Sequence, residues 1–177
     1  METQTASVKK IAMNYGLLLG LASIAFSVIL YVTGNHLEQT LWSSVISFLI
    51  MLAFIVYGLK AFKKDNGGFM SLGEALKTGV AIALISGILG AIYFYVFVTM
   101  IEPDFTAQIL EVQRETMIEA NPDMPKEQME MSMGIAEKMT QPWIMVAFAV
   151  IGSLFFGFII SLVAGLIMKQ PKPEHLQ

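Results

Sequence analysis

Four stretches of this chain carry no Asp, Glu, Lys or Arg and are long enough to span hydrocarbon: Ile11 to Thr33, Leu41 to Leu59, Thr78 to Ile101, and Trp143 to Met168. At 1.5 Å of rise per residue each reaches roughly 28–39 Å as a helix, against a bilayer core of about 30 Å. Lipid offers no partner to backbone N–H and C=O groups, so segments of this length within it must be helical, and the residue-by-residue alternation of a transmembrane strand is absent. Composition points the same way, with 55% hydrophobic and 14% charged residues, where soluble domains carry about 25% charge. The 177 residues allow one domain, and with no cysteine neither disulfides nor Cys-based metal sites are available. The fold class that follows is all-α: an integral membrane four-helix bundle with spans over about 11–33, 41–59, 72–101 and 142–168, and a helical hairpin outside the cytoplasm over 102–141.

The first span could be mistaken for a cleaved signal peptide, because Lys9 and Lys10 precede it and Ser23-Ile24-Ala25 imitates a cleavage site. Its apolar run continues to Thr33, however, about twice the usual 7–15 residues of a signal peptide's apolar core, so the helix is expected to be retained.

Orientation follows from the basic residues. Lys9 and Lys10 precede span one, Lys60, Lys63, Lys64 and Lys77 lie between spans two and three, and Lys169 and Lys172 follow span four, which puts eight of eleven Lys+Arg on one side. Only Arg114, Lys126 and Lys138 lie on the other, so the positive-inside rule places both termini in the cytoplasm. Trp42 and Trp143 at the starts of spans two and four, with Tyr31, Tyr93 and Tyr95 at the ends of spans one and three, supply interfacial aromatics on the outer face.

In the cytoplasmic link, Asp65-Asn66-Gly67-Gly68 reads as a turn. The following Ser71-Leu72-Gly73-Glu74 fits a capping box, with the Ser71 hydroxyl accepting from the Glu74 N–H and the Glu74 carboxylate accepting from the Ser71 N–H. That local role accounts for Glu74 without a proton-carrying or ligand-binding one. Small residues recur at helical spacing inside the spans: Gly16 and Gly20; Gly79, Ala83, Gly87 and Ala91; Gly157, Ser161 and Gly165. In lipid, such stripes let helix backbones approach closely, and three of four spans carrying one favours packing within the chain over packing between copies.

The spans hold no Asp, Glu, Lys, Arg or His and no mid-helix proline, which weighs against proton relays, ion-coupled sites and broken transporter helices. Nucleotide-binding loops, HExxH zinc sites and GxSxG elbows are missing as well, so catalysis is not expected and no catalytic or cofactor-binding residue is assigned.

Outside the spans the substantial segment is Glu102 to Gln141, with nine Asp+Glu against three Lys+Arg. Pro103 ends span three, Pro142 suits the first turn of span four, and Asn121-Pro122-Asp123-Met124-Pro125 reads as a turn between two amphipathic helices. The two apolar faces are expected to bury each other, with Phe105, Ile109, Val112, Met129, Met133 and Ile135 as the candidate interaction residues. Met129, Met131 and Met133 have a spacing that suits Cu(I) in an extended chain, but on a helix Met131 points away from the other two, so no metal is assigned.

Four spans, the segment Gly67-Gly68-Phe69-Met70-Ser71-Leu72-Gly73-Glu74-Ala75-Leu76-Lys77-Thr78-Gly79 leading into span three, and an acidic insert before span four together resemble a group of small bacterial inner-membrane proteins, the domain of unknown function forty-one ninety-nine. That resemblance implies a bacterial inner membrane and a periplasmic outer face, and it brings no activity, cofactor or catalytic residue. The resulting expectation is a partner-binding or membrane-structural component in contact with the lipid bilayer, with a protein partner at the acidic hairpin and no nucleic acid. The alternative, from a different class, is a small homo-oligomeric transporter or channel.

Overall fold

The computed structural model describes residues 6–38 and 40–173. In chain order they form α1 (Val8–Val32), α2 (Leu41–Asp65), α3 (Leu72–Val96), α4 (Phe105–Ala120), α5 (Lys126–Met139) and α6 (Pro142–Met168), with a π-helical turn, Phe97–Ile101, continuing α3. There is no strand among the described residues, only a single antiparallel bridge between Met70 and Gln170.

Helices α1, α2, α3 with its π turn, and α6 are long and apolar enough to cross a membrane. Only 17–22% of their most apolar stretches is buried inside the protein, so most of that apolar surface faces outward. Water does not tolerate an apolar belt of this extent.

Local chemistry sets the helix ends. Ser7 caps α1, accepting from the Lys10 N–H at 3.3 Å, and Pro142 opens α6 at a position where its missing N–H costs nothing. Between α2 and α3 the chain reverses through Gly67 and Gly68, whose φ values of +68° and +87° lie in the left-handed region that other residues avoid. Helix α2 runs past the charge-free stretch to Asp65, keeping Lys60, Lys63 and Lys64 on its last turns.

Helix α3 lies between α1 and α6, and the small residues explain how. Alongside α1, which runs parallel to it, a Cβ added at Gly16 would come 2.7 Å from Ile85 Cβ, and one at Gly20 would come 2.7 Å from Leu89 Cδ2. Against the antiparallel α6, Gly79 faces Ser161, Gly157 faces Ala83, Gly87 faces Ser153, and Gly165 faces Ala75. Helix α2 packs on the other three, with Gly58 taking the side chains of Ile82 and Tyr15. Leu19, Ile55, Leu59, Ile82 and Ile160 fill the space enclosed. The Ser153 hydroxyl also donates to the Ala83 carbonyl at 3.0 Å, a cross-helix bond that in hydrocarbon has no water to compete with it.

The lysine-rich end is tied together by backbone. Met70 and Gln170 exchange N–H to O bonds of 2.9 and 2.8 Å, and Lys63 Nζ donates at 3.0 Å to the carbonyl of Met168, the last residue of α6. Beyond the opposite end, α4 and α5 form a two-helix arm joined through residues 121–125. The expected mutual burial of their apolar faces is not what the structure holds. Helix α5 buries no residue, Phe105 is the one buried residue of α4, and Ile135 is 60% exposed. The physical reason lies in Phe105 and Ile109, which pack inward against the end of the bundle and so turn that face of α4 away from α5.

Candidate functional site

Two polar clusters sit at the two ends of the bundle. At the lysine-rich end, Ser71 accepts from the Glu74 N–H at 3.2 Å, and the Ser71 N–H and hydroxyl both donate to Glu74 Oε2 at 2.7 Å. Asn66 reaches Glu74 Oε1 from the preceding turn at 3.5 Å and donates to the Phe69 carbonyl at 3.0 Å. These bonds close both halves of a capping box and hold the α2–α3 turn onto the start of α3. Both carboxylate oxygens of Glu74 are thus engaged by the turn they stabilise.

The other cluster joins residues that are distant in sequence. His36 comes from the short loop between α1 and α2, and Glu102 caps the π-helical turn at the end of α3, where its N–H donates to the Phe97 carbonyl at 2.8 Å. Imidazole Nε2 lies 3.1 Å from Glu102 Oε1, in line for a hydrogen bond. It is 2.9 Å from Oε2, which is out of line for one, so that this second contact attracts only when the imidazole carries a proton on both nitrogens. Both side chains are largely buried, at 15% and 14% exposure. His36 Nδ1 is buried without a hydrogen-bond partner among the described residues.

Aromatic rings enclose the pair. Phe105, the first residue of α4, stacks on the imidazole at 6.2 Å and 24°. Tyr31 from α1 meets it edge-on at 5.0 Å, and Phe97 from the π turn at 6.2 Å. Phe94 and Tyr93 of α3 complete the cluster against Phe105 and Phe97. A π turn shifts the register of a helix by adding a residue, and such turns recur at functional sites. Here it lies between the last regular turn of α3 and Glu102. The arrangement brings one imidazole and one carboxylate together among aromatic rings and joins three segments, the α1–α2 loop, the end of α3 and the start of α4. Among the described residues no three His, Asp or Glu side chains converge as a metal ion would require.

Sequence reasoning passed over His36 and Glu102. The available signal was positional: each is the first titratable side chain to follow an apolar span at the end of the bundle away from the lysines, one after span one and one after span three. Nothing in the spacing shows that residues 66 positions apart meet.

The remaining singled-out residues fall into two groups. Gly16, Gly20, Gly79, Ala83, Gly87, Gly157, Ser161 and Gly165 lie in the seams between α1, α3 and α6, while Ala91 is half-buried at the end of its stripe. In the arm, Phe105 is buried in the aromatic cluster and Ile109 packs on it. Val112, Met129 and Met133 are half-buried, and the two methionines share a shallow groove with Ala107, Leu110 and Arg114. Ile135 faces outward in line with Met131 and Met139, at i, i+4 and i+8, with 63%, 60% and 46% exposure for Met131, Ile135 and Met139.

The model of a protein family described as of unknown function, DUF4199, matches residues 14–170, from the first turns of α1 to the Gln170 bridge. The chain belongs to that family. Both polar clusters and the whole arm of this DUF4199 protein fall within the matched region. No curated protein and no solved structure matches the chain.

Proposed function

We propose that this DUF4199 protein is a multi-pass protein of the bacterial inner membrane that holds its acidic two-helix arm in the periplasm as a binding element. On this reading it acts by binding rather than by catalysis. The membrane part rests on four long apolar helices whose apolar surface mostly faces outward, and the orientation on the eight-to-three division of basic residues.

One observation carries the binding role. Helix α5 buries none of its residues within the chain, yet presents Met131, Ile135 and Met139 as a single outward stripe. A helix of 14 residues is marginal alone in water, and exposed apolar side chains in a line are the pattern by which an amphipathic helix docks to a groove. Methionine, unbranched and polarisable, adapts to such surfaces. The segment 102–141 carries nine acidic against three basic residues, a charge that anionic headgroups repel, which favours a protein partner with a basic or apolar groove over the lipid surface. Against a pore built between copies, the small-residue seams that could have joined copies are instead occupied within one chain.

Photo-crosslinking in intact cells tests the reading. A photoreactive residue at Met131, Ile135 or Met139 should give one shared protein adduct that is missing from a probe at the exposed Gln113. Adducts to lipid alone, or equal yield from Gln113, would overturn it.

A further inference from the structure

We infer that the His36–Glu102 pair is a proton-operated latch holding the two-helix arm on the end of the bundle. The inference deepens the binding role proposed for the arm, since the latch would govern how the arm is presented.

The geometry places the pair where only a few contacts decide the arm's position. His36 belongs to the α1–α2 loop, Glu102 to the junction of α3 and α4, and Phe105, which stacks on the imidazole, is the first residue of the arm itself. Beyond this cluster the arm is held by Ile109 of α4, which packs on the bundle end, and by the join of α5 to α6 through Gln141 and the buried Thr140, while α5 itself buries nothing. Loosening the imidazole–carboxylate contact therefore loosens the root of the arm.

The contact depends on protonation. With imidazolium, a cation and an anion face each other at 2.9 Å inside aromatic rings. With neutral imidazole, Glu102 is left as a buried charge holding at most one hydrogen bond, a costly arrangement that exposure to water relieves. The surroundings contain other titratable groups. Tyr31 faces the imidazole from α1, Tyr93 of α3 reaches it through Phe97, and Glu38 on the same loop and Asp104 beside Phe105 are exposed. From α6 the cluster receives the apolar Met145. The latch is thus closed while the imidazole is protonated and weakens when the proton leaves, as pH rises. Each linked proton moves the open-to-closed ratio by at most about tenfold per pH unit.

The chain has no native cysteine, so two introduced ones report distance without background. Spin labels on Leu41→Cys, at the exposed start of α2, and Glu119→Cys, near the exposed end of α4, are measured by double electron–electron resonance in the full chain in lipid nanodiscs. At pH 5.5 one narrow distance is expected, and at pH 8.5 a second, broader component whose share relative to the first has risen about tenfold or more. His36→Gln should show the broad component at both pH values, with His175 still present as an internal control, and Glu102→Gln should lose the pH response. An unchanged distribution in the parent between the two pH values overturns the latch without reference to any variant's folding. So does a response that persists in His36→Gln or Glu102→Gln. Because no partner enters the measurement, the latch can fail while the binding role stands, and the reverse.

Discussion

Replacing Gly79 by alanine puts a methyl group into the tightest point of the α3–α6 seam. The added Cβ would overlap the Ser161 hydroxyl and stand 2.7 Å from Ser161 Cβ and 3.3 Å from Ile55 Cγ2, where carbon atoms ordinarily rest about 3.5–4.0 Å apart. Rotating Ser161 relieves the hydroxyl overlap at the cost of its bond to the Gly157 carbonyl, but leaves the Cβ–Cβ overlap in place. The two helices must then separate by up to about 1 Å, which also loosens the neighbouring contacts of Gly157 with Ala83 and Gly165 with Ala75. Overpacking of this kind costs about 1–3 kcal/mol, and alanine's better helix propensity returns up to about 1 kcal/mol, leaving a net loss of up to about 2 kcal/mol, and of about 1–3 kcal/mol relative to a glycine where the propensity gain comes without a clash. Reversible unfolding in mixed detergent micelles measures it. Gly90→Ala and Gly152→Ala, at glycines with open space around them, serve as controls that should lose nothing. Adding Ser161→Gly to Gly79→Ala should restore stability beyond the sum of the single effects, a coupling of about 0.5–3 kcal/mol. If Gly79→Ala matches the open-glycine controls, the seam is not close-packed and the account of α3–α6 association is wrong.

Removing the cap with Ser71→Ala should weaken the start of α3 by about 0.5–2 kcal/mol, while Glu74→Gln, which can still complete the box, should be milder, as hydrogen exchange at residues 72–76 would record. Reporter fusions after Gly68 and after Gln177 should register cytoplasm and one near Asp123 the periplasm; a cytoplasmic signal at Asp123 would reverse the topology. Because Ile135 is exposed and Ile109 packs on the aromatic cluster, Ile135→Asp should change stability by no more than about 0.5 kcal/mol while abolishing partner capture. Ile109→Asp should instead loosen the root of the arm, seen as faster proteolysis between Glu102 and Gln141, and equal cutting of both variants would contradict the packing described.

How much of this was legible in the sequence depends on how far apart the deciding residues lie. The four long helices were, since each is set by the hydropathy of its own consecutive residues. So was the Ser71–Glu74 pattern, because a capping box is complete within four residues. The stripes of Gly16, Gly79 and Gly157 were visible as patterns, yet which seam each enters was not. The arm was read correctly as two helices and wrongly as a self-buried pair. Helical periodicity shows that Phe105, Ile109 and Ile135 lie on apolar faces. It does not show that Phe105 and Ile109 have rings at the bundle end to pack against, which leaves Ile135 outside.

By itself, then, the sequence determined what hydropathy, charge and short-range hydrogen bonding determine: helices, their ends, the turn at Gly67 and Gly68, and the division of lysines between two faces. Only the tertiary structure decided that α3 stands between α1 and α6, that the π turn carries Glu102 to His36, and that α5 is left with an uncovered apolar stripe. The physical reason is that these depend on close approach between segments far apart in the chain, where a hydroxyl at Ser161 or a ring at Phe105 chooses its neighbour by fit, and fit is a property of the assembled bundle.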